Sequence, residues 1–233
     1  MDKLKKLRDI LNNMGSVALA YSGGVDSTFL LKVARDVLGS KVLAVTAVSP
    51  TYTQEELVFA KKMCEALGVR HKIIKTDEFK DKRFISNSAN RCYFCKKELF
   101  AKLKDIAKIN KINFVVDASN TSDKKDFRPG SLAKKELKVR SPLQEAGLDK
   151  EDIRRLSKQL GLKTWDKPSL ACLASRIPYG VKISSPLLGR INKAEAYLRK
   201  IGFKQVRLRH YNGLCRIEVF NEDGFKYVLG TEK

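Results

Sequence analysis

Short apolar runs alternate with helically spaced apolar residues over the first two thirds of the chain. The apolar runs predict four strands, at residues 17–21, 42–48, 71–76 and 113–117. Helices are expected to start between these strands, near Asp26, Thr53 and Cys92. Thr53 and Glu56 also have the spacing of a capping box. Strands that alternate with helices in this way indicate a parallel sheet with crossover helices, so the expected fold class is α/β.

The two ends of the chain follow other patterns. Apolar residues near the N-terminus recur at helical spacing and predict an amphipathic helix: Leu4, Leu7, Leu11 and Met14. Toward the C-terminus, helical patterns at residues 150–160 and 186–201 precede two β-like runs, at residues 205–210 and 215–220. We therefore expect a parallel-sheet domain over residues 1–165 and a smaller α+β piece over residues 166–233.

The first candidate site is a glycine-containing loop. Ligands of open parallel sheets bind beyond the carboxyl ends of the strands, so segments 22–27, 48–52 and 119–128 are expected to share one rim. Ser22-Gly23-Gly24-Val25-Asp26-Ser27 follows the first strand and opens a helix, and its glycines allow backbone N–H groups to converge on a phosphate chain. The lysine of a Walker loop is absent. Asp26 can hold Mg²⁺ on phosphate oxygens, or it can simply cap the helix.

Three cysteines form the second candidate site. Cys92 and Cys95 lie three residues apart at a predicted helix start, so their sulfurs can face one side of its first turn. The helix dipole and nearby cations are expected to lower the pKa of these thiols: Arg91, Lys96 and Lys97. Cys172 lies far along the chain, but its segment can reach the same rim.

Several ligand sets are open for these cysteines. Three thiolates can hold a 4Fe-4S cube and leave one iron without a protein ligand. A zinc ion would need a fourth ligand, which Cys215 or His210 can supply. Simple packing at a helix start is the plain alternative. Cys64 is expected in the core, and His71 and His210 are expected to have ordinary surface or core roles.

Basic residues follow Cys172: Arg176, Arg207, Arg209 and Arg216, with Glu195 among them. Side chains two apart on a strand share a face, so Arg207 and Arg209 are expected to point the same way. Paired guanidinium groups suit a carboxylate or a phosphate. A solvated basic strand face is the alternative.

The composition predicts an anionic binding partner and a cellular compartment. The 233 residues include 47 Lys+Arg and 26 Asp+Glu, a formal charge of +21, which favours nucleic acids, nucleotides or phosphorylated metabolites. Lysines spread along helices also suit a solubilising surface. No apolar stretch approaches the ~20 residues that span a bilayer, so no membrane crossing is expected. Five cysteines are an odd set for disulfides, and we expect them as thiols in the cytoplasm.

The loop at residues 22–27 resembles the SGGxDS pyrophosphate loop, or PP-loop, of the N-type ATP pyrophosphatases, which include GMP and NAD synthetases. The resemblance implies an adenine nucleotide α-hydrolase-like fold and a substrate that is adenylylated with release of pyrophosphate. It further implies that five loop residues cradle the β,γ-phosphates of ATP: Ser22, Gly23, Gly24, Asp26 and Ser27.

Motifs spread over nearly the whole chain resemble the LarE family of ATP-dependent sulfur transferases, which help make the nickel-pincer nucleotide of lactate racemase. These motifs are SGGVDS, RCYFCKKELF, FRPG, VRSPLQEAGLDKEDIR, TWDKPSLACLASRIPYG, AEAYLRKIGF and RIEV. The family adenylylates each carboxylate of pyridinium-3,5-biscarboxylic acid mononucleotide in turn and converts it to a thiocarboxylate. ATP and Mg²⁺ are the implied cosubstrate and ion.

The resemblance also assigns roles to the cysteines and arginines. In one family branch, the cysteine matching Cys172 gives up its own sulfur and becomes dehydroalanine. The other branch binds a 4Fe-4S cluster, and this chain resembles that branch because it has Cys92, Cys95 and Cys172. An extra sulfide on the open iron would then be transferred, from an unknown sulfide donor. Asp26 and Cys172 are the implied catalytic residues, and four residues match positions near the substrate phosphate or carboxylates: Arg176, Glu195, Arg207 and Arg209.

Two alternative functions remain at this point. Some tRNA thiolation enzymes also combine a PP-loop with three cluster cysteines, and the charge of +21 suits RNA, although no separate RNA-binding module is apparent. A non-catalytic nucleotide or metal sensor is the other alternative. A homo-oligomer is expected. Residues 224–228 resemble the start of the family's last strand, so the C-terminal piece is expected to be shortened.

Overall fold

The computed structural model describes residues 2–125, 129–168, 171–203, 205–211, 213–221 and 224–231. Its helices are α1 Lys3–Met14, α2 Val25–Leu38, α3 Gln54–Ala66, α4 Lys82–Ile85, α5 Arg91–Ile109, α6 Gly130–Glu136, α7 Pro142–Glu145, α8 Lys150–Gln159 and α9 Ser185–Lys200. Its strands are β1 Val17–Ala20, β2 Val42–Val48, β3 Arg70–Lys75, β4 Phe114–Val116, β5 Val206–Tyr211, β6 Leu214–Asn221 and β7 Gly224–Thr231. Short 3-10 helices include Glu78–Lys80 and Leu173–Arg176.

The first four strands form one parallel sheet in the order β3-β2-β1-β4. Val17 at the start of β1 pairs with Val42 on one side and with Phe114 on the other. The predicted α/β class and the four predicted strands are confirmed, with strand ends that differ by one residue at most. The carboxyl ends of β1 and β4 therefore lie side by side, which places their following loops at one rim.

The residues of β1 alternate between two apolar layers. Val17 and Leu19 pack with α1, α2 and α8, whereas Ala18 packs with Leu103 and Ile106 of α5. This period of two is what a strand buried on both faces requires. Cys64 of α3 is buried in the first layer, so the expectation that it is a core residue is confirmed.

The helix signals of the sequence match the structure closely. Leu7, Leu11 and Met14 are the buried stripe of α1, and the predicted capping box of Thr53 and Glu56 opens α3. The predicted helix at residues 186–201 is observed as Ser185–Lys200. In the described part of the chain, no helix is both long enough and apolar enough to cross a membrane.

The C-terminal strands form an antiparallel sheet in the order β5-β6-β7. Leu208 of β5 packs with Leu188 and Ile191 of α9 in a separate apolar cluster. That cluster also contains Phe84 of α4 and Leu173, which lie on opposite sides of the expected boundary after residue 165. The boundary stays a prediction, and the smaller core draws on both parts of the chain.

Candidate active site

The phosphate loop, residues 22–27, connects β1 to α2. Gly23 has φ +72°, a left-handed conformation that glycine adopts without steric penalty. Gly24 is the N-cap of α2, and it has no side chain that could accept from the backbone N–H groups of the first turn. These N–H groups are therefore not used by a capping side chain and can donate to a phosphate. Asp26 lies inside the first turn of α2, which rules out the alternative that it is the helix cap.

A cavity of about 430 Å³ opens in front of this loop. It is lined by residues that follow β1 and β4 and by two lysines from elsewhere: Ala20, Ser22, Gly24, Asp26, Ser27, Asp117, Ala118, Ser119, Asn120, Ser122, Asp123, Lys96 and Lys150. The Tyr52 hydroxyl donates to the Ser22 carbonyl oxygen at 3.0 Å, which brings the loop after β2 to the same rim. The predicted shared rim is therefore observed for the phosphate loop, Tyr52 and the segment from Ser119 to Asp123, while residues 126–128 lie outside the described part of the chain.

Lysines supplied by other segments surround the phosphate loop. Lys150, the first residue of α8, contacts both carboxylate oxygens of Asp26, at 2.7 and 2.9 Å. Lys167 donates to the Gly23 carbonyl oxygen at 3.0 Å and lies over the Phe59 ring. Desolvation lowers the pKa of Lys167, and the charge of Glu56 partly offsets that effect. Both lysines were missed in the sequence, because they lie 124 and 144 residues from their partners.

Asp117 fixes the other side of the cavity. It is buried, and the hydroxyl groups of Ser119 and Ser141 each donate to one of its carboxylate oxygens at 2.6 Å. The Lys134 ammonium lies 3.3 Å from Asp117 and donates to both serine hydroxyl oxygens. This network holds the segment after β4 in a defined position beside the phosphate loop.

The three candidate cysteines come from two segments. Cys92 and Cys95 lie in the first turn of α5, and Cys172 begins the 3-10 helix Leu173–Arg176. We call residues 171–176 the cysteine loop. The Leu173 N–H donates to the Thr51 carbonyl oxygen at 3.2 Å, so the cysteine loop is bonded to the loop after β2. Cys92 contributes to a raised pKa of the Cys172 thiol, so the two residues lie in one neighbourhood.

The expectation of a lowered thiol pKa is wrong for Cys95. Burial raises the pKa of Cys95 to about 12, and the charge of Glu78 adds to this effect. Cys172 is exposed to solvent, yet its protein surroundings desolvate the thiol and raise its pKa, while Arg91 and Arg176 lower it. Desolvation disfavours a thiolate more strongly here than the neighbouring cations favour it.

The cysteines do not form a preformed site for a single metal ion. Among the residues that the structure describes, no three His, Cys, Asp or Glu side chains are grouped closely enough to hold one. His210 and Cys215 face each other on β5 and β6, and Cys215 packs against the smaller core. The zinc alternative therefore has no assembled ligand set in the described part of the chain.

The basic residues beyond Cys172 fall into two groups. Arg176 and Glu195 form a buried ion pair at 2.8 Å, with both side chains 3% exposed. Glu195 also accepts from the Leu208 N–H, and Arg176 donates to the Ala171 carbonyl oxygen, each at 2.9 Å. The pair therefore connects the cysteine loop to α9 and β5.

The second group lies on the antiparallel sheet. Arg209 donates to Glu218 at 2.6 Å and to the Ser175 carbonyl oxygen at 3.2 Å. Arg207 is half-buried, and desolvation together with the charges of Arg176 and Arg209 lowers its pKa. Glu218, which the sequence did not single out, is buried and balances part of this charge. Concentrated positive charge of this kind attracts an anionic ligand.

A parallel sheet with a glycine-containing phosphate loop between β1 and α2 defines the PP-loop class of ATP-using enzymes. The family model for asparagine synthase matches residues 10–86. The fold is also similar to that of NH3-dependent NAD synthetase from Campylobacter jejuni, with a TM-score of 0.57, 22% identity and coverage of 86% of this chain and 88% of that one.

Two full-length relatives define the family. An uncharacterised protein of Synechocystis sp. is 45% identical over 97% of this chain and 84% of its own length. Pyridinium-3,5-bisthiocarboxylic acid mononucleotide synthase of Lactiplantibacillus plantarum is 39% identical over 94% of this chain and 86% of its own length. The chain belongs to this LarE-type synthase family and is an ATP-dependent enzyme.

Proposed function

We propose that the enzyme adenylylates the carboxylates of pyridinium-3,5-biscarboxylic acid mononucleotide and converts each to a thiocarboxylate, a step toward the nickel-pincer cofactor of lactate racemase. The name of the Lactiplantibacillus plantarum relative supports the substrate. The observation that carries the proposal is that the phosphate loop and the cysteine loop meet at one rim. Lys167 and Leu173, on either side of Cys172, are bonded to the Gly23 and Thr51 carbonyl oxygens.

The chemistry requires two steps in one place. A substrate carboxylate oxygen attacks the α-phosphorus of ATP, and pyrophosphate leaves, which gives an acyl adenylate. Sulfur then attacks the carbonyl carbon, and AMP leaves with the oxygen that the carboxylate contributed. Adenylylation is needed because a carboxylate offers only oxide as a leaving group, whereas an acyl adenylate offers AMP.

The phosphate loop supplies the groups for the first step. Backbone N–H groups and hydroxyl groups of the loop would donate to the β,γ-phosphates of ATP; they belong to Ser22, Gly23, Gly24 and Ser27. The Asp26 carboxylate has the oxygen donors that Mg²⁺ prefers, so it would hold an ion that offsets the charge of the phosphates. Lys150, which contacts Asp26 in the described structure, would then be free to pair with the triphosphate in the role of the absent Walker lysine.

The arginines would hold the anionic substrate at the second step. We assign the direct contacts to Arg207 and Arg209, and we assign Arg176 and Glu195 a positioning role because their charges already satisfy each other. Replacing Arg207 and Arg209 together with alanine is expected to weaken substrate binding about tenfold or more and to leave ATP binding intact. Isothermal calorimetry measures the affinities for the substrate and for ATP. An unchanged substrate affinity would favour the alternative that these arginines form a solvated strand face.

Cys92, Cys95 and Cys172 fit a 4Fe-4S cluster by the chemistry of their donors. All three are free thiols in the structure. A cube spreads its ligand sulfurs farther apart than one tetrahedral ion does, so the lack of a single-ion site in the described residues does not conflict with it. A bound cluster would supply sulfide at the iron that three cysteines leave without a protein ligand. Arg91 and Arg176 would offset part of its negative charge.

Cysteine variants test this ligand set. Anaerobically purified wild type is expected to contain iron and acid-labile sulfide, and alanine at Cys92, Cys95 or Cys172 is expected to remove both. Cys64→Ala is the matched control, because Cys64 is buried in the other core. Full iron content in all three single variants would contradict the assignment.

We also place the enzyme in the cytoplasm as a homo-oligomer. The odd number of cysteines, five, supports a reducing compartment. Light scattering of the purified protein tests the oligomeric state. A monomer at working concentration would contradict the proposed homo-oligomer.

The reaction products test the proposal as a whole. With ATP, Mg²⁺, sulfide and the pyridinium biscarboxylate mononucleotide, we expect AMP, pyrophosphate and a thiocarboxylate identified by mass spectrometry. Release of ADP and phosphate would contradict it, and so would tight, salt-sensitive binding of tRNA together with thiolation of that RNA.

A further inference from the structure

Two cavities adjoin each other at the rim of the parallel sheet. The cavity at the phosphate loop, of about 430 Å³, lies next to a larger cavity of about 820 Å³. The residues that line both are Lys96, Asp117, Ser119 and Asp123. Cys92 lines the larger cavity. The two cavities therefore meet at these four residues, with the phosphate loop in one cavity and Cys92 in the other.

Lys96 is the cation of this shared wall, and its charge is not used by the protein. The Asp117 carboxylate already accepts from Ser119 and lies 3.3 Å from the Lys134 ammonium. The half-buried Lys96 has no hydrogen bond or ion pair within the residues that the structure describes, and its ammonium lies 5.3 Å from the centroid of the Phe100 ring. Because an ammonium group carries three donors, Lys96 is available to an anion that enters either cavity.

The stem of Lys96 is held by close packing against Gly130, the first residue of α6. A Cβ atom at residue 130 would lie 2.9 Å from Lys96 Cγ and 3.4 Å from the Cys92 carbonyl oxygen. Two carbon atoms do not approach this closely, so a glycine is needed to leave room for the lysine stem. The packing confines the Lys96 side chain, which therefore loses less entropy on binding a ligand than a lysine at the open surface.

The chemistry of the first step requires a cation where the two cavities meet. In the part of the chain that the structure describes, the cations that line the phosphate-loop cavity are Lys96 and Lys150. Lys150 contacts Asp26 on the phosphate loop, which places it at the β,γ-phosphates in the proposed function. The α-phosphate is the group that the substrate attacks, so it must lie toward the adjoining cavity, where a second ligand has room. Lys96 is the lysine at that position.

We propose that the Lys96 ammonium binds the α-phosphate of ATP as a catalytic residue of both steps, and that Gly130 positions its stem. This inference rests on the proposed function. A substrate carboxylate oxygen bonds to the α-phosphorus, the bond from phosphorus to the β-phosphate oxygen breaks, and pyrophosphate leaves with that electron pair. An ammonium group beside the non-bridging oxygens stabilises their charge in the transition state. In the second step the carbon–oxygen bond to AMP breaks, and the same cation stabilises the electron pair that AMP takes.

A pair of ligands tests the contact without catalysis. AMP and adenosine differ by the α-phosphate, and neither contains the phosphates assigned to the phosphate loop. Calorimetry is expected to show that wild type binds AMP about tenfold more tightly than adenosine, and Lys96→Met should abolish this preference. Lys97→Met is the matched control, because Lys97 is the exposed next residue and pairs with Glu136 at 3.1 Å. A preference for AMP that persists in Lys96→Met would overturn the proposal.

The positioning role of Gly130 is tested with the same ligands. Gly130→Ala should reduce the preference for AMP about threefold, because the added methyl group displaces the Lys96 stem. An unchanged preference in this variant would show that Gly130 does not position the lysine.

Pyrophosphate exchange tests the role of Lys96 in the reaction. Exchange of labelled pyrophosphate into ATP, in the presence of the pyridinium biscarboxylate mononucleotide, reports the first step alone. Lys96→Met should slow this exchange about 100-fold and leave the affinity for pyrophosphate within about twofold of wild type. A lysine with a merely structural role at the rim would change pyrophosphate binding as well. A normal exchange rate in Lys96→Met would overturn the catalytic role.

The outcomes separate this inference from the proposed function. If wild type forms thiocarboxylate and Lys96→Met keeps both the preference for AMP and the exchange rate, the assignment of Lys96 is wrong and the proposed function stands. If wild type does not convert the pyridinium mononucleotide, the proposed function fails. The comparison of AMP with adenosine then still decides whether Lys96 binds the α-phosphate.

Discussion

The phosphate loop is formed by neighbours in sequence, whereas the cysteine site joins segments that lie far apart in the chain. Residues 22–27 follow directly from β1 into α2, and only Gly23 needs an unusual backbone conformation. The residues next to Cys172 are held by contacts from the Leu173 N–H to the Thr51 carbonyl oxygen and from Arg176 to Glu195. The comparison teaches that the proposed nucleotide site is formed by local structure, whereas the proposed sulfur site is formed by long-range packing.

The two regions also differ in how their charges are balanced. Asp26 and Lys150 form a partly exposed pair, so each can exchange its partner for Mg²⁺ or a phosphate. Arg176 and Glu195 are almost completely buried and cannot separate without leaving a charge in the core. Substitutions in the first region should therefore act on chemistry, and substitutions in the second should act on stability first.

The largest expected effect is at the phosphate loop. Asp26→Ala should reduce AMP formation about 100-fold or more, because it removes the carboxylate proposed to hold the metal on the phosphates. The melting temperature should change little, since Asp26 is partly exposed. Asp36→Ala is the matched control on the same helix, where Asp36 pairs with Lys32 at the surface. Near-normal AMP formation by the Asp26 variant would contradict the claim that substitutions in the phosphate loop act on chemistry.

The buried ion pair gives the next effect. Glu195→Gln leaves the Arg176 charge uncompensated, which costs about 3–5 kcal/mol. Scanning calorimetry should show a melting temperature lower by about 10 °C. The double variant Arg176→Met, Glu195→Leu should recover much of that loss, because it removes both charges. A melting temperature unchanged by Glu195→Gln alone would mean that the pair does not hold the cysteine loop.

The smallest effect is at the contact that connects the two regions. Lys167→Met removes one hydrogen bond to Gly23 and should raise the KM for ATP about fivefold. It should also release more AMP than thiocarboxylate, because the segment that precedes the cysteine loop in the sequence would no longer be bonded to the phosphate loop. Lys163→Met is the control, because Lys163 is an exposed lysine in the same connection. Equal amounts of AMP and thiocarboxylate in the Lys167 variant would show that the contact is only structural.

The sequence predicted the parallel sheet and the phosphate loop because their signals are local. An apolar strand, two glycines and an amphipathic helix follow one another within a short stretch around Gly23 and Gly24. The partners Lys150 and Lys167 could not be found in this way, because spacing along the chain does not show which side chains meet across the rim. The sequence also does not show how deeply a side chain is buried. For this reason the pKa of Cys95 was expected to fall, whereas burial raises it to about 12.

The arginines show the same limit. Alternation along β5 placed Arg207 and Arg209 on one face, and the structure adds Glu218 from β6 as the partner of Arg209. Arg176 and Glu195 were expected near the substrate, and their closest contacts are with each other.

The central claim is that sulfur passes through the three-cysteine site without consuming Cys172. Intact-protein and peptide mass spectrometry after turnover with ATP, Mg²⁺, sulfide and the pyridinium substrate tests this claim most directly. We predict more than one thiocarboxylate per enzyme, with the mass of the Cys172 peptide unchanged. Conversion of Cys172 to dehydroalanine, with loss of hydrogen sulfide in step with product, would contradict the account.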